Sequence, residues 1–253
     1  MLAAAIIPGL LIGAALGLLG GGGSVLTVPI FVYVLGFDPK PAIAMSLAVV
    51  GATSAFGAAA HWRTGNVDVR LAAVFGAVAM AGTFLGVRLA TFVPGTLQLV
   101  IFGTVMLAAS LFMFKRRTGP DAAGRQPGHD PAVSLLMVAP GGLLVGVLTG
   151  LVGVGGGFLI VPALVALRSP LREAVGTSLL IITANCLVGF LGYLGHVSMD
   201  WRAVALVTAC TVPGIALGSY LHHFVPQSAL RRGFAAFLVV MAAFILYENL
   251  SRL

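Results

Sequence analysis

Two glycine runs interrupt oily stretches of this chain: GLLGGGGSVLTVP from Gly17 to Pro29, and GLVGVGGGFLIVP from Gly150 to Pro162. Consecutive glycines weaken a helix, and a helix that restarts beyond them opens with N–H groups that have no intrahelical acceptor. In lipid such groups must face protein, water or a ligand. A helix start also carries partial positive charge, and glycine lets a guest approach the backbone closely, so the chemistry on offer is an anion seat. The candidate substrate-binding residues are Gly20, Gly21, Gly22, Gly23 and Ser24 from the first run, and Gly153, Gly155, Gly156 and Gly157 from the second. Two half-helix ends, at Ser24–Leu35 and Phe158–Leu167, would converge on one central anion; the first, at helical rise, is ~18 Å long, about half a bilayer.

Side-chain donors stand at matched positions. Ser46 pairs with Ser178, and Thr53 with Asn185 two turns further along the same helical face, flanked by Ser54 and Thr177. Serine and threonine in membrane helices commonly bond their own i−4 carbonyl, whereas buried asparagine is costlier and so more suggestive. The competing explanation for the glycines is close helix packing. It suits the scattered Gly82, Gly86, Gly189 and Gly192 better than the two runs. A phosphate loop is disfavoured, because no Lys-Ser or Lys-Thr follows the glycines and no strand precedes them.

The elements that hold these residues must be membrane helices. Of 253 residues, 59 % are hydrophobic and only 8 % charged, with a mean hydropathy of +1.09, where a soluble domain carries about a quarter charged residues. Apolar stretches such as Pro41–Ala60, Leu71–Val93, Leu97–Phe114, Val133–Val152, Ala174–Leu194 and Ala203–Leu221 approach the ~20 residues of a crossing. The fold class is all-α, a polytopic integral membrane protein; the alternation of a β-barrel is missing. The N-terminus lacks a basic leader pattern and reads as retained structure. Cys186 and Cys210 fall in apolar segments and read as core thiols, with no metal site. All seven acids lie in or beside connections, no nucleophile–base pair emerges, and the net charge of +7 reflects topology and not nucleic acid.

The chain also repeats itself. NVDVR at Asn66 matches SMDWR at Ser198, and GTFLGVRLATFVP from Gly82 matches GIALGSYLHHFVP from Gly214, both at a separation of 132 residues; the glycine runs match at 133. Each half opens with a glycine-broken helix or re-entrant hairpin and continues with three spans. The expected organisation is a first transmembrane repeat over 1–114, a cytoplasmic linker over 115–132 carrying four cations, and a second repeat over 133–253. If the broken element crosses the membrane the halves are parallel, and eight cations are cytoplasmic against five outside. If it returns, the halves are inverted and the count is ten against three. The charge rule favours inversion. Repeats of this kind build transporters with a site near the midplane.

The doubled glycine motif with its trailing VP, the GNVD and HVSMDW turns, and the LGxxLxxFVP endings resemble the sulfite exporter TauE/SafE family over essentially the whole chain. The resemblance implies a bacterial inner-membrane, multi-pass transporter for sulfite, sulfoacetate or a related sulfur-containing anion, with no covalent cofactor. Export fits a monoanion leaving an inside-negative cell. The expected partners are the small anion and the lipid bilayer; homo-oligomerisation stays open. The rival from another class is a non-transporting membrane scaffold, which tandem repeats and small-residue faces would serve equally well. Ser24 stands where the second half has Gly157, so the two sites need not contribute equally.

Overall fold

The computed structural model describes residues 2–115, 131–166, 171–221 and 227–250, and every element in it is helical. Helix α1 spans Leu2–Leu19 and passes directly into a tight 3-10 helix at Gly20–Leu26, a single α turn α2 at Thr27–Pro29 and a wider π turn at Ile30–Val34. Three long helices follow: α3 at Pro39–Arg63, α4 at Val69–Phe92 and α5 at Gly95–Lys115. Beyond these come α6 at Pro131–Val152, α7 at Gly157–Ala166, α8 at Leu171–Tyr193, α9 at Trp201–Leu221 and α10 at Gln227–Leu250. The expected cytoplasmic linker lies almost wholly outside the described residues. Five of these helices are long and apolar enough to cross a membrane, in α3, α4, α8, α9 and α10. Side chains such as Phe84, Phe92 and Val240 project from their outer faces. The protein is therefore a multi-pass membrane protein whose outer surface is apolar because its solvent is lipid.

Acidic side chains start two helices. Asp68 accepts from the Leu71 N–H at 2.9 Å, and Asp200 accepts from the N–H groups of Arg202 and Ala203 at 2.9 and 3.1 Å. These two acids occupy matched places in the two halves and satisfy N–H groups that a helix start leaves open.

Glycine stripes set the packing. Gly9, Gly13 and Gly17 of α1 lie against Cys210, Gly214 and Gly218 of α9, so the two helices run side by side in the same direction. Gly142, Gly146 and Gly150 of α6 meet Phe75, Ala79 and Thr83 of α4, again in parallel. Along α8, Ile181, Gly189 and Gly192 follow Gly76, Thr83 and Val87 of α4, also in parallel. Helix α3 runs with α9, pairing Thr53 with Thr211 and Gly57 with Ile215. Against α8 it runs the other way, with Leu47 beside Gly189, Gly51 beside Cys186 and Gly57 beside Leu179. Thus α1, α3 and α9 share one direction and α4, α6 and α8 the opposite one.

Two apolar clusters fill the interior. One gathers Ile12, Leu16, Phe31, Met45, Val49, Val207 and Ile215 where α1, α3 and α9 meet. The other, larger, joins Phe75, Phe102, Val145, Ile160, Ile182 and Leu238 from α4 to α10.

A methyl at Gly146 would overlap the Ala79 carbonyl, whereas one at Gly141 would touch nothing within 4 Å. Gly146→Ala is expected to destabilise the protein by about 1–3 kcal/mol, several degrees in a detergent thermal melt. Gly141→Ala should stay within about 0.5 kcal/mol of wild type or stabilise it slightly, since alanine is the better helix former.

Candidate functional site

The two glycine runs have different backbones. Gly153, Gly155 and Gly156 adopt φ of +78°, +66° and +68°, the left-handed region where a side chain is strained. The second run is an unwound connection between α6 and α7. The first run contains no such residue: Gly20–Leu26 is wound as a 3-10 helix, and the expected unwinding at Gly20, Gly21, Gly22 and Gly23 is corrected accordingly. No half-helix begins at Ser24; its hydroxyl donates back to the Gly21 carbonyl at 2.8 Å and stays inside the 3-10 turn. The glycines of the first run serve close approach instead. Gly23 lies against the backbone of Ala15 and Leu16, so the chain folds back over the end of α1. Gly156 folds back likewise over Val145 and Thr149 of α6.

The two segments converge. Gly21 packs backbone to backbone on Gly157 at the start of α7, and both lie so close that a methyl on either would overlap the other. Ile182 of α8 reaches both segments, its side chain meeting Gly21 and Gly155. Around the first part of the unwound loop the contacts come from α3 and α8: Ile43 beside Gly153, and Val50, Ile182 and Cys186 around Gly155.

The side-chain donors divide into occupied and unoccupied. Ser46 donates to the carbonyls of Gly153 and Ile43, pinning the unwound loop to α3. Ser178 bonds only Val175 of its own helix, at 2.8 Å. Thr53 and Thr211 share a hydrogen bond of 2.7 Å between α3 and α9, and each also reaches a carbonyl of its own helix. Thr177 is drawn elsewhere: it accepts from the Asp68 N–H at 2.9 Å and holds the α3–α4 turn against α8. Eight residues from Asn185, it is displaced by ~12 Å along the helix axis.

Asn185 is fully buried, and neither its amide nitrogen nor its amide oxygen has a hydrogen-bond partner. It shares a helical face with Ile182, three residues earlier, and Gly189, four later, which places it between the converging segments and the point where Leu47 and Thr83 meet Gly189. Asn185 corresponds to Thr53, but the counterpart of Thr53's partner Thr211 is Ala79, which has no polar side chain. Ser54, also fully buried with an unpartnered hydroxyl, lies one turn beyond Val50 on the face of α3 that meets α8.

Three further polar positions escape sequence reasoning. Thr211 looks like any isolated threonine in an oily helix until α9 is set against α3. Thr27 is buried with its hydroxyl unpartnered in the α2 turn. Gln98 of α5 donates to the Ala90 carbonyl at 2.8 Å, closing the end of α4, and leaves its amide oxygen without a partner. Arg88, the cation within a span, is exposed and sits 5.2 Å from the Phe84 ring centre. Among the described residues whose burial is defined, no lysine, arginine, aspartate or glutamate is buried, so the interior polarity is entirely neutral. A cavity of about 10 Å3 adjoins Gly156 and Thr149. It has room for one water at most, so an oxyanion needs the segments to part.

The model of the family described as sulfite exporter TauE/SafE matches residues 5–245 of this chain. The chain belongs to the TauE/SafE family. Its relatives include a probable membrane transporter protein of Xylella fastidiosa (strain 9a5c), 35 % identical over 96 % of this chain and 94 % of its own length. Another, from Bacillus subtilis (strain 168), is 26 % identical over 87 % of this chain and 90 % of its own. A third, from Methanocaldococcus jannaschii, is 25 % identical over 95 % and 94 %. No solved structure matches. Membership of the TauE/SafE family makes this chain a membrane transporter.

Removing Ser46 leaves the buried Gly153 carbonyl short of a donor. Ser46→Ala is expected to cost about 1–3 kcal/mol in a detergent thermal melt. Ser178→Ala loses only a bond within its own helix and should cost less than half as much by the same measurement.

Proposed function

We propose that the chain carries a small sulfur-containing anion, sulfite, sulfoacetate or a related organosulfonate, outward across the bacterial inner membrane by alternating access. The observation that carries this reading is the Asn185 amide, fully buried and unpartnered on the helix face that meets both glycine segments. An unsatisfied buried amide costs about 1–3 kcal/mol. A polar group held in a membrane interior at that cost marks a ligand path.

The remaining parts of the site follow from its neighbours. Ser54 supplies a second free hydroxyl, and the unwound Gly153–Gly156 loop leads into the N-terminal end of α7, where partial positive charge favours an anion. Ser46 holds that loop in place, and Gly21 of the first run packs on Gly157 at its end. The first and second halves act as inverted copies, a reading supported by the matched motifs and by the reversed helix directions. Alternating access then opens the site to each side of the membrane in turn. Outward movement of a monoanion gains about 2.3 kcal/mol per 100 mV when the inside is negative, which is a sufficient driving force without a coupling ion.

Proteoliposomes loaded with labelled sulfite test this. Imposing an inside-negative potential should accelerate efflux, and Asn185→Leu should slow it by about tenfold or more while its gel-filtration profile stays that of the wild type. The absence of anion movement at every imposed potential would sink the proposal.

A further inference from the structure

We infer that the interior site selects a singly charged oxyanion that still carries a hydroxyl proton, and discriminates against dianions. The inference rests on the carrier reading above and narrows it. Asparagine offers two N–H donors and one carbonyl acceptor. In Asn185 both ends are unpartnered, and the same holds for the Ser54 hydroxyl, which is donor and acceptor at once. A fully deprotonated oxyanion has only acceptors. It satisfies the Asn185 nitrogen and leaves the amide oxygen facing another negative oxygen. An anion with one O–H answers both ends of the amide.

Charge points the same way. The cost of transferring an ion into a low-dielectric interior grows with the square of its charge, so a dianion costs roughly four times as much as a monoanion of its size. Nothing in the site offsets the second charge. From α3 the ionisable side chains are Lys40, His61 and Arg63, all at its ends, and from α4 they are Arg70 and Arg88, both exposed. Helices α6 and α7 and the 3-10 segment carry none. Helix α8 itself has Arg172, Glu173, Cys186 and Tyr193. Of these the Cys186 thiol, against Gly155, is the group at the level of Asn185. The proton that sets the preference is therefore the substrate's own.

The test measures initial uptake of labelled sulfite into proteoliposomes at fixed total concentration, with pH stepped through the second pKa of sulfite. Protein-free vesicles correct for passive entry of the neutral acid. Sulfate, sulfoacetate and methanesulfonate are the competitors: two dianions, and a monoanion without the proton. Uptake should fall about tenfold per pH unit above that pKa, following the protonated monoanion. Cys186→Ala should leave that slope unchanged, and all three competitors should inhibit at least about tenfold more weakly than unlabelled sulfite at the acidic end. Uptake that follows total sulfite at every pH, a slope that vanishes in Cys186→Ala, or sulfate that competes as well as sulfite would overturn the inference while leaving the carrier intact. If sulfite does not move at any pH, the carrier reading falls and takes this inference with it.

Discussion

A backbone carbonyl released inside a membrane has nowhere to turn but to protein, and the Gly153 carbonyl turns to the Ser46 hydroxyl. Much of the interior depends on that contact. With the loop after α6 held against α3, α7 starts at Gly157, the first run can press Gly21 onto it, and Ile182 can reach both. The three positive φ angles permit the loop, and the serine fixes where it sits. Irregular backbone is tolerated here because protein encloses it.

Neutral polarity is the second constraint. Ser46, Thr53, Thr83, Thr149 and Ser178 all donate to main-chain carbonyls, which spends hydroxyl protons on the scaffold. Among the described residues a few polar groups stay unspent: the Thr27 hydroxyl, the Gln98 amide oxygen and, on the facing surfaces of α3 and α8, the Ser54 hydroxyl and the whole Asn185 amide. Among the described residues whose burial is defined no charged side chain is buried, so these few uncommitted dipoles are the free polarity they hold inside.

Much of the fold was legible in the sequence because lipid imposes simple rules. Composition dictates helices, apolar length dictates spans, and the matched GTFLG and GIALG motifs mark the faces that pack on α6 and α1. The backbone at Gly20–Gly23 was not legible. Four glycines can unwind or can wind tightly, and the choice falls on what lies opposite, here Ala15, Leu16 and Gly157, which no local pattern reveals. The side-chain positions divide similarly. Asn185 stands out from its cost alone, but Thr177 had to be seen against the Asp68 turn and Thr53 against Thr211 before their hydrogen bonds could be assigned.

The pairing of α1 with α9 and of α4 with α6 also sets the order in which the molecule can be built. Every one of these glycine faces joins a helix made early to one made late. As the ribosome delivers the chain from its N-terminus, α1 and α4 enter the bilayer with their stripes open to lipid, and they stay so until Pro131–Val152 and Trp201–Leu221 emerge. A chain truncated after α5 would lack both α6 and α9, the partners of these two stripes. The α4–α6 pair can close once Val152 has been made, whereas the α1–α9 pair waits for Leu221.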